Sequence, residues 1–406
     1  MKSALGVVLL LISFHSFSQK NIKIKKGAWL SELTLNSTDV LPFTMRITKG
    51  NVIVVENAEE EITLLQPALI NDSLRVKFPY FNSELVFKVI NKKKLVGYWV
   101  NYNKGPNYRI PFSSSRTRSN RFRFVSKKTA AINVDGTWQV DFEPNTPSTY
   151  PAVGIFKQKP GGNDVTGTFL TETGDYRFLD GNCTKDSLFL SCFDGSHAFL
   201  FKAGLSGDSL RGKFFSGNHW QSEWQGGRNE NYLLTSPDEL TYIVDESDVT
   251  FDLKMASGDP YSFPNPETKN KVVIIQIMGT WCPNCLDETH YYKELYNQYH
   301  EQGLEIISIC YETGRGFEDY AANINRLKTK LGLGFTFLVG GSASKGLASE
   351  HFNMLNEVIS FPTSIFIGRD GKVKRVHTGF NGPGTGSYYQ EYVEKTNALV
   401  ESLLNL

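Results

Sequence analysis

The sequence is poor in cysteine, in net charge and in long apolar runs, and each shortage excludes a class of protein. Its 406 residues include five cysteines, too few for a disulfide-rich scaffold. Lys and Arg number 43 and Asp and Glu 42, which leaves no charge excess to attract nucleic acid or a membrane surface. Beyond the first residues no run approaches the about 20 apolar residues of a membrane-spanning helix. We therefore expect no nucleic-acid partner and no transmembrane segment in the mature chain.

The opening segment, MKSALGVVLLLISFHSFSQ, has the layout of a cleavable secretory signal. One Lys precedes an apolar run from Leu5 to Phe14, and the small residues Ser16 and Ser18 precede Gln19. A membrane anchor or a buried strand is the alternative, but the run is too short to span a bilayer. Residues 1–18 are thus predicted to be a signal peptide. The mature protein is expected in the periplasm, where disulfides persist.

Residues 20–230 are predicted to be all β and to consist of two similar halves, 20–130 and 131–230. Runs such as NVIVVE and SLFLSCF alternate with turn signals such as NDS and PGG. GAW at 27–29 returns as GTW at 136–138, and NDSLRVKF at 71–78 returns as KDSLFLSC at 185–192. The halves could form a sandwich, two barrels or one shared barrel. Cys183 and Cys192 could pair across a turn or stay as buried thiols, and we expect this region to bind or assemble rather than catalyse.

A stretch rich in Gly, Asn and Pro, assigned as a linker over 231–244, precedes a region in which strands and helices alternate. KVVIIQIM and LEIISICYE are apolar throughout, as in strands buried on both faces. FEDYAANINRLKTKLG and the C-terminal SYYQEYVEKTNALVESLL have helical spacing, and TSIFIGRDGKVKRV is typical of a hairpin. Residues 245–406 are therefore predicted to form an α/β domain, a mixed sheet with helices on both faces.

Cys282 and Cys285 follow the first of these strands and open a helix, in the motif GTWCPNC. A zinc site needs about four ligands, and only Cys310, inside a strand, and His290 are near in sequence. A purely structural disulfide over so short a loop stabilises little. A redox pair is favoured, because a helix N-terminus stabilises a thiolate and Pro283 suits the first helical position. Cys282 is then the exposed nucleophile and Cys285 the inward resolving thiol.

TWCPNC, the later SFPTSIFIGRDGKV and the alternation between them resemble the thioredoxin superfamily, and within it the exported TlpA/ResA-type thiol-disulfide oxidoreductases, over 245–406. The resemblance implies a reductase of protein disulfides or thiols that is supplied with electrons by a membrane-bound donor and needs no cofactor or metal. It implies that Pro362 is a cis-proline opposite the cysteines. The substrate groove would include Trp281, Pro283, Phe361, Pro362 and Thr363. An oxidase or isomerase on the same fold, or a cell-envelope binding protein with a redox sensor, are the alternatives.

The sequence departs from thioredoxin at one position. Thioredoxins carry a buried Asp in the strand before the motif, and Gln276 stands at the matching place. Glutamine cannot titrate, so it cannot take the proton of the inner cysteine. The TlpA/ResA-type pattern CxxCxxE is present instead and ends at Glu288, one helical turn beyond Cys285. We therefore predict that Glu288 tunes Cys285, with an exposed helix carboxylate as the alternative.

Overall fold

The computed structural model describes residues 24–117, 119–125, 132–245 and 247–406, which form three sheets and five α-helices. The predicted signal peptide, residues 1–18, lies outside the described residues. Within them, no helix is long and apolar enough to cross a membrane. The predicted architecture, an all-β region followed by a thioredoxin-like α/β domain, is confirmed.

The first sheet is open and antiparallel, and we call it the half-barrel. Its strand order is β4-β3-β2-β1-β9-β8-β7-β6-β5. The strands are β1 (Gly27–Thr34), β2 (Val40–Ile47), β3 (Ile53–Asn57), β4 (Glu60–Thr63), β5 (Ala68–Ile70), β6 (Ser73–Lys77), β7 (Ser83–Asn91), β8 (Lys94–Asn101) and β9 (Arg109–Ser115). Buried side chains alternate with exposed or half-buried ones along β6, β8 and β9, as expected for a sheet with one solvated face.

The second sheet closes into a barrel of eight strands, because β11 pairs with β12 as well as with β10. A ninth strand, β13, is two residues long and pairs with the end of β12. The strands are β10 (Gly136–Phe142), β11 (Tyr150–Gln158), β12 (Asp164–Thr171), β13 (Gly174–Asp175), β14 (Leu179–Cys183), β15 (Ser187–Phe193), β16 (Ala198–Ser206), β17 (Ser209–Ser216) and β18 (Trp220–Arg228). Buried Phe and Trp rings pack together inside the barrel, which is therefore a filled core rather than a ligand cavity.

The two β sheets share the local structure that their sequence similarity marks. Gly27 and Gly136 each open the first strand with a positive φ, 114° and 110°, which favours glycine. Two residues on, the indole Nε1 of Trp29 donates to the Lys25 carbonyl at 2.9 Å, and Trp138 Nε1 donates to the Val134 carbonyl at 3.0 Å. This correspondence supports the duplication, which stays a prediction, as do the domain limits drawn from the sequence.

The third sheet is mixed and has the order β20-β19-β23-β22-β21-β24-β25, with β21, β22 and β23 parallel. Alternate residues of β21 pack against different helices. Ile274 and Met278 belong to the core that includes α2, α3 and α5, whereas Ile275 packs with α4 on the other face. The strands are β19 (Phe251–Met255), β20 (Pro260–Phe263), β21 (Val272–Met278), β22 (Leu304–Glu312), β23 (Thr336–Ser342), β24 (Thr363–Ile367) and β25 (Val373–Thr378); the helices are α1 (Pro237–Leu240), α2 (Pro283–Tyr299), α3 (Phe317–Leu331), α4 (Lys345–His351) and α5 (Ser387–Leu404).

The segment assigned as a linker, 231–244, includes α1 and lies against the C-terminal domain. The Tyr242 backbone N–H donates to the Asn356 side chain at 2.9 Å, and the Val244 N–H donates to the Met354 carbonyl at 2.8 Å. These bonds fix the chain as it enters the domain that carries the cysteines.

Candidate active site

Cys282 and Cys285 lie at the start of α2 and are joined as a disulfide, with their Cα atoms 5.2 Å apart. Cys282 is the N-cap residue, and its Sγ accepts from the Cys285 backbone N–H at 3.2 Å. Pro283 follows as the first helical residue, where its missing N–H costs no hydrogen bond. The free N–H groups and the dipole of the helix point at Cys282 and favour negative charge on its sulfur.

The loop before β24 faces the sulfur of Cys282. The peptide bond between Phe361 and Pro362 is cis, and the Phe361 carbonyl lies 3.5 Å from Cys282 Sγ. Thr363 is buried at the start of β24, and its hydroxyl donates to the Ser360 carbonyl at 2.9 Å. Most residues predicted for the groove therefore meet at one place, although their positions in the chain are about 80 residues apart.

Trp281 is held over this place by the neighbouring strand. Its indole Nε1 donates to the Tyr311 carbonyl at 2.9 Å, and its ring lies 6.1 Å from the Phe361 ring, centroid to centroid. The preceding Gly279 leaves room for the indole, since a Cβ there would lie 2.4 Å from Trp281 Nε1.

Glu288 is fully buried, so it is not the exposed helix carboxylate considered from the sequence. Its carboxylate accepts from Gln276 Nε2 at 2.9 Å and from a set of hydroxyls, those of Tyr292, Ser364 and Tyr392, at 3.1–3.2 Å. Burial raises the pKa of Glu288 to about 7, against an ordinary 4.5, and these donors only partly offset the loss of hydration. A carboxyl one turn beyond Cys285 can thus take or release a proton near neutral pH.

Gln276 occupies the place of the thioredoxin aspartate and connects the two groups. Its Nε2 lies 2.9 Å from Glu288 and 3.5 Å from the Cys285 carbonyl, and Ser308 donates to its Oε1 at 2.7 Å. A titratable side chain therefore lies on the helix rather than in the strand, and Gln276 is hydrogen-bonded to its carboxylate.

A second buried carboxylate, Glu312, was missed from the sequence. It ends β22 under the cysteine loop and accepts from the Thr280 N–H and hydroxyl, both at 2.7 Å. Burial raises its pKa to about 7. The signal was present, since a charged residue directly follows the apolar run IISICY, but a strand end is more often solvated than buried.

Cys282 is only 7% exposed, which differs from the exposed nucleophile predicted. The barrel is hydrogen-bonded to the two segments that flank it. Ser196, from the β15–β16 connection, donates to the Trp281 carbonyl at 3.0 Å, and Ser360 donates to the carbonyl of Thr173 in the barrel at 2.9 Å. These contacts span 85 and 187 residues of sequence, and no local pattern announces them.

A charge cluster lies beneath the same junction, centred on Arg177 of the barrel, which is 4% exposed. It pairs with Glu60 of the half-barrel at 2.6 Å, with Asp194 of the barrel at 3.6 Å and, at short distance, with Asp287 of α2. Asp287 follows Cys285 by two residues. The three structural units therefore share one buried set of charges next to the redox motif.

The other three cysteines, Cys183, Cys192 and Cys310, are buried and carry free thiols. Of the two possibilities for Cys183 and Cys192, the structure has the unpaired one. Burial raises the pKa of Cys183 to about 11, and it raises the pKa of Cys192 and Cys310 also, so none of them is poised as a nucleophile.

Known proteins resemble part of this chain. A family model described as Redoxin matches residues 245–392. A thiol-disulfide oxidoreductase ResA from Halalkalibacterium halodurans is 30% identical over 136 residues, which are 33% of this chain and 68% of that protein. One from Bacillus thuringiensis subsp. konkukian is 32% identical over 128 residues, 31% of this chain and 64% of that protein. The solved structure of StoA from Bacillus subtilis is 18% identical, covers 37% of this chain and 99% of that one, and has a TM-score of 0.27.

Proposed function

Because this chain belongs through its C-terminal domain to the ResA thiol-disulfide oxidoreductases, we propose that it is an exported reductase of protein disulfides. The observation that carries the proposal is the placement of Cys282. Its sulfur caps α2 and faces the Phe361 carbonyl next to cis-Pro362, while Cys285 is buried behind it. A sulfur at a helix N-terminus beside the backbone of the cis-proline loop suits attack on an extended disulfide.

The reaction uses the two thiols in turn. The Cys282 thiolate attacks one sulfur of the client disulfide, forms a mixed disulfide and releases the other client sulfur as a thiolate. Cys285 then attacks the Cys282 sulfur, which forms the Cys282–Cys285 disulfide and frees the second client thiol. Two electrons pass from the enzyme to the client, and each released thiolate takes up a proton.

Glu288 acts on the second step as a positioning and proton-accepting group for Cys285. The thiol of Cys285 is buried and must lose its proton before it can attack. A carboxyl whose pKa is raised to about 7 can accept that proton near neutral pH. The amide of Gln276, 2.9 Å away, holds the carboxylate at the Cys285 end of the helix.

The client backbone would pair with Phe361, and Pro362, Thr363, Trp281 and Pro283 would border the groove. The oxidised enzyme must then be reduced again. We assign that task to a membrane-bound dithiol donor in the periplasm, where residues 1–18 would direct the chain.

Two variants and one reduction potential, that of the Cys282–Cys285 pair, test this proposal. Cys285→Ser should accumulate a client mixed disulfide at Cys282, and Cys282→Ser should accumulate none. Equilibration of the wild type in dithiol/disulfide buffers, followed by alkylation and mass analysis, measures the potential of the pair. A value near about −270 mV supports a reductase, whereas one near about −120 mV would make the protein an oxidant or isomerase and overturn the direction. A pair that does not titrate at all would favour a binding protein.

A further inference from the structure

The turn of the barrel at residues 172–178 lies beside the cysteine site and is bonded to three separate segments of the C-terminal domain, the start of α2 and two loops. Asn284, between the cysteines, donates to the Asp175 carbonyl at 3.3 Å. Ser360, next to the cis-proline, donates to the Thr173 carbonyl at 2.9 Å. The Gly382 N–H donates to the Asp175 carboxylate at 2.6 Å. The barrel turn thus spans the site from the motif to the loop after β25.

Two glycines let the backbones come this close. Gly174 of the barrel turn has a φ of +137°, and a Cβ there would lie 2.2 Å from Asn284 Nδ2. Gly379 has a φ of +74°, and a Cβ there would lie 2.9 Å from the carbonyl carbon of Thr173. Both positions therefore require glycine, on opposite sides of one contact.

The barrel turn is held as part of the folded core. Arg177 belongs to it, is 4% exposed, and pairs with carboxylates from the half-barrel and from α2. Separating the barrel from the site would leave these buried charges without partners, which is costly. The turn is thus a fixed wall.

A cavity of about 390 Å³ remains beside Cys282. The C-terminal domain supplies most of its lining, including Trp281, Phe361 and Lys345, and the barrel adds Thr173. Thr313, also in the lining, donates to Asn103 of the half-barrel at 3.1 Å. The barrel therefore borders the cavity directly, the half-barrel is bonded to one lining residue, and Lys345 is the charged residue among the lining.

We propose that the β region restricts Cys282 to disulfides carried on an extended, unfolded peptide segment and excludes those on the surface of a folded domain. An extended strand needs about 5 Å of width, whereas a folded domain of about 100 residues has a radius of gyration near 13 Å. With Cys282 only 7% exposed behind the barrel turn, a single chain reaches the sulfur and a rounded surface does not. This inference rests on the proposed function and names its substrate class.

The experiment places one reporter in two contexts. A cysteine in a carrier domain that has no other cysteine is converted to its thionitrobenzoate mixed disulfide, in a folded carrier and in the same carrier unfolded by a core mutation. The reduced full-length mature chain is added and the released thionitrobenzoate is followed by absorbance. Each rate is divided by the rate at which dithiothreitol releases thionitrobenzoate from the same carrier. The mixed disulfide of free cysteine with thionitrobenzoate serves as the small reporter, called the free reporter below. We expect the unfolded carrier to exceed the folded one by about 100-fold in kcat/KM.

Two variants locate the cause. Thr173→Trp enlarges an exposed side chain at the cavity wall and should lower kcat/KM for the unfolded carrier about tenfold, and its rate with the free reporter is measured alongside. Lys185→Trp, exposed at the opposite end of β14, should change neither. Equal normalised rates for the two carriers, or no effect of Thr173→Trp, overturns the inference and leaves the proposed function intact. Failure of the free reporter to react overturns both.

Discussion

The C-terminal domain and the β region meet at one site and contribute differently to it. The C-terminal domain supplies the two sulfurs and the buried carboxylates of Glu288 and Glu312. These groups lie on α2, which follows β21, and at the end of the neighbouring strand β22. The β region supplies the wall, through contacts that join residues 85 to 187 positions apart. The residues that carry the chemistry are close together in sequence, whereas the residues that border the approach to Cys282 are far apart. Variants on the two sides should therefore fail in different ways.

Loss of the sulfur should be the largest effect. Cys282→Ser should abolish release of thionitrobenzoate from the free reporter, because a hydroxyl at that place cannot become a comparable nucleophile. Cys310→Ala removes a buried thiol of the same domain and is the matched control, expected to retain the activity. Residual turnover in Cys282→Ser would show that another group does the chemistry.

The second largest effect is expected from loss of Arg177, the central cation of the charge cluster. It should lower the stability of the protein rather than the rate of the reaction. Arg177→Leu leaves Glu60, Asp194 and Asp287 without their shared partner, and we expect a loss of about 3–5 kcal/mol in the free energy of unfolding. Arg315→Ala, at a side chain that is 94% exposed, should change it by less than about 0.5 kcal/mol. Urea unfolding measures both, and equal losses would mean that the cluster does not hold the β region in place.

Glu288→Gln should slow the resolving step by about 100-fold, the ordinary scale of a lost general base. Release of the client from the mixed disulfide should quicken in the wild type as pH rises through about 7, where Glu288 becomes able to accept the Cys285 proton. The variant should lose this inflection while retaining the first attack. Stopped-flow rates over pH 5–9 measure it, and an unchanged inflection would assign it to another group.

The raised pKa of Glu312 predicts a smaller pH effect, on stability. Whereas the rate of client release should rise with pH, the free energy of unfolding should fall. Since its folded pKa is about 7 and its ordinary value is 4.5, the folded state holds more protons between these limits. Its contribution is therefore full below about pH 4.5 and is lost as pH rises through 7. Glu312→Gln should lessen this fall in the free energy of unfolding by on the order of 2 kcal/mol. Unfolding curves recorded at pH 4.5 and at pH 8 measure it. If the variant changed the free energy of unfolding equally at both pH values, Glu312 would not be the group that titrates.

The smallest effect is expected at the contact of the barrel with Trp281. Ser196→Ala removes the hydrogen bond to the Trp281 carbonyl and should cost about 1 kcal/mol of stability. It should also modestly quicken alkylation of reduced Cys282, because the loop that carries Trp281 is less constrained. Ser206→Ala, at the exposed end of β16 in the same barrel, is the control. An alkylation rate equal to that of the control would show that this bond does not limit access.

Much of the C-terminal domain was predictable, because its signals are short in range. A strand buried on both faces is apolar at every position, as in KVVIIQIM, and a Cys-Pro pair that opens a helix needs only its own neighbours. The cis-proline depended on resemblance, since X–Pro bonds are usually trans. The burial of Glu288 was not readable, because two of the residues that bond it, Ser364 on β24 and Tyr392 on α5, are distant in sequence.

The sequence by itself determined the fold class, the cysteine pair and the Gly-x-Trp motif that recurs in the two halves. Only the tertiary structure decided that one β sheet closes while the other stays open, that Arg177 joins three units, and that Cys282 is covered. Local patterns encode backbone geometry and which face is apolar. Which surfaces then meet depends on the summed burial and charge pairing of distant segments, and no window of sequence contains that sum.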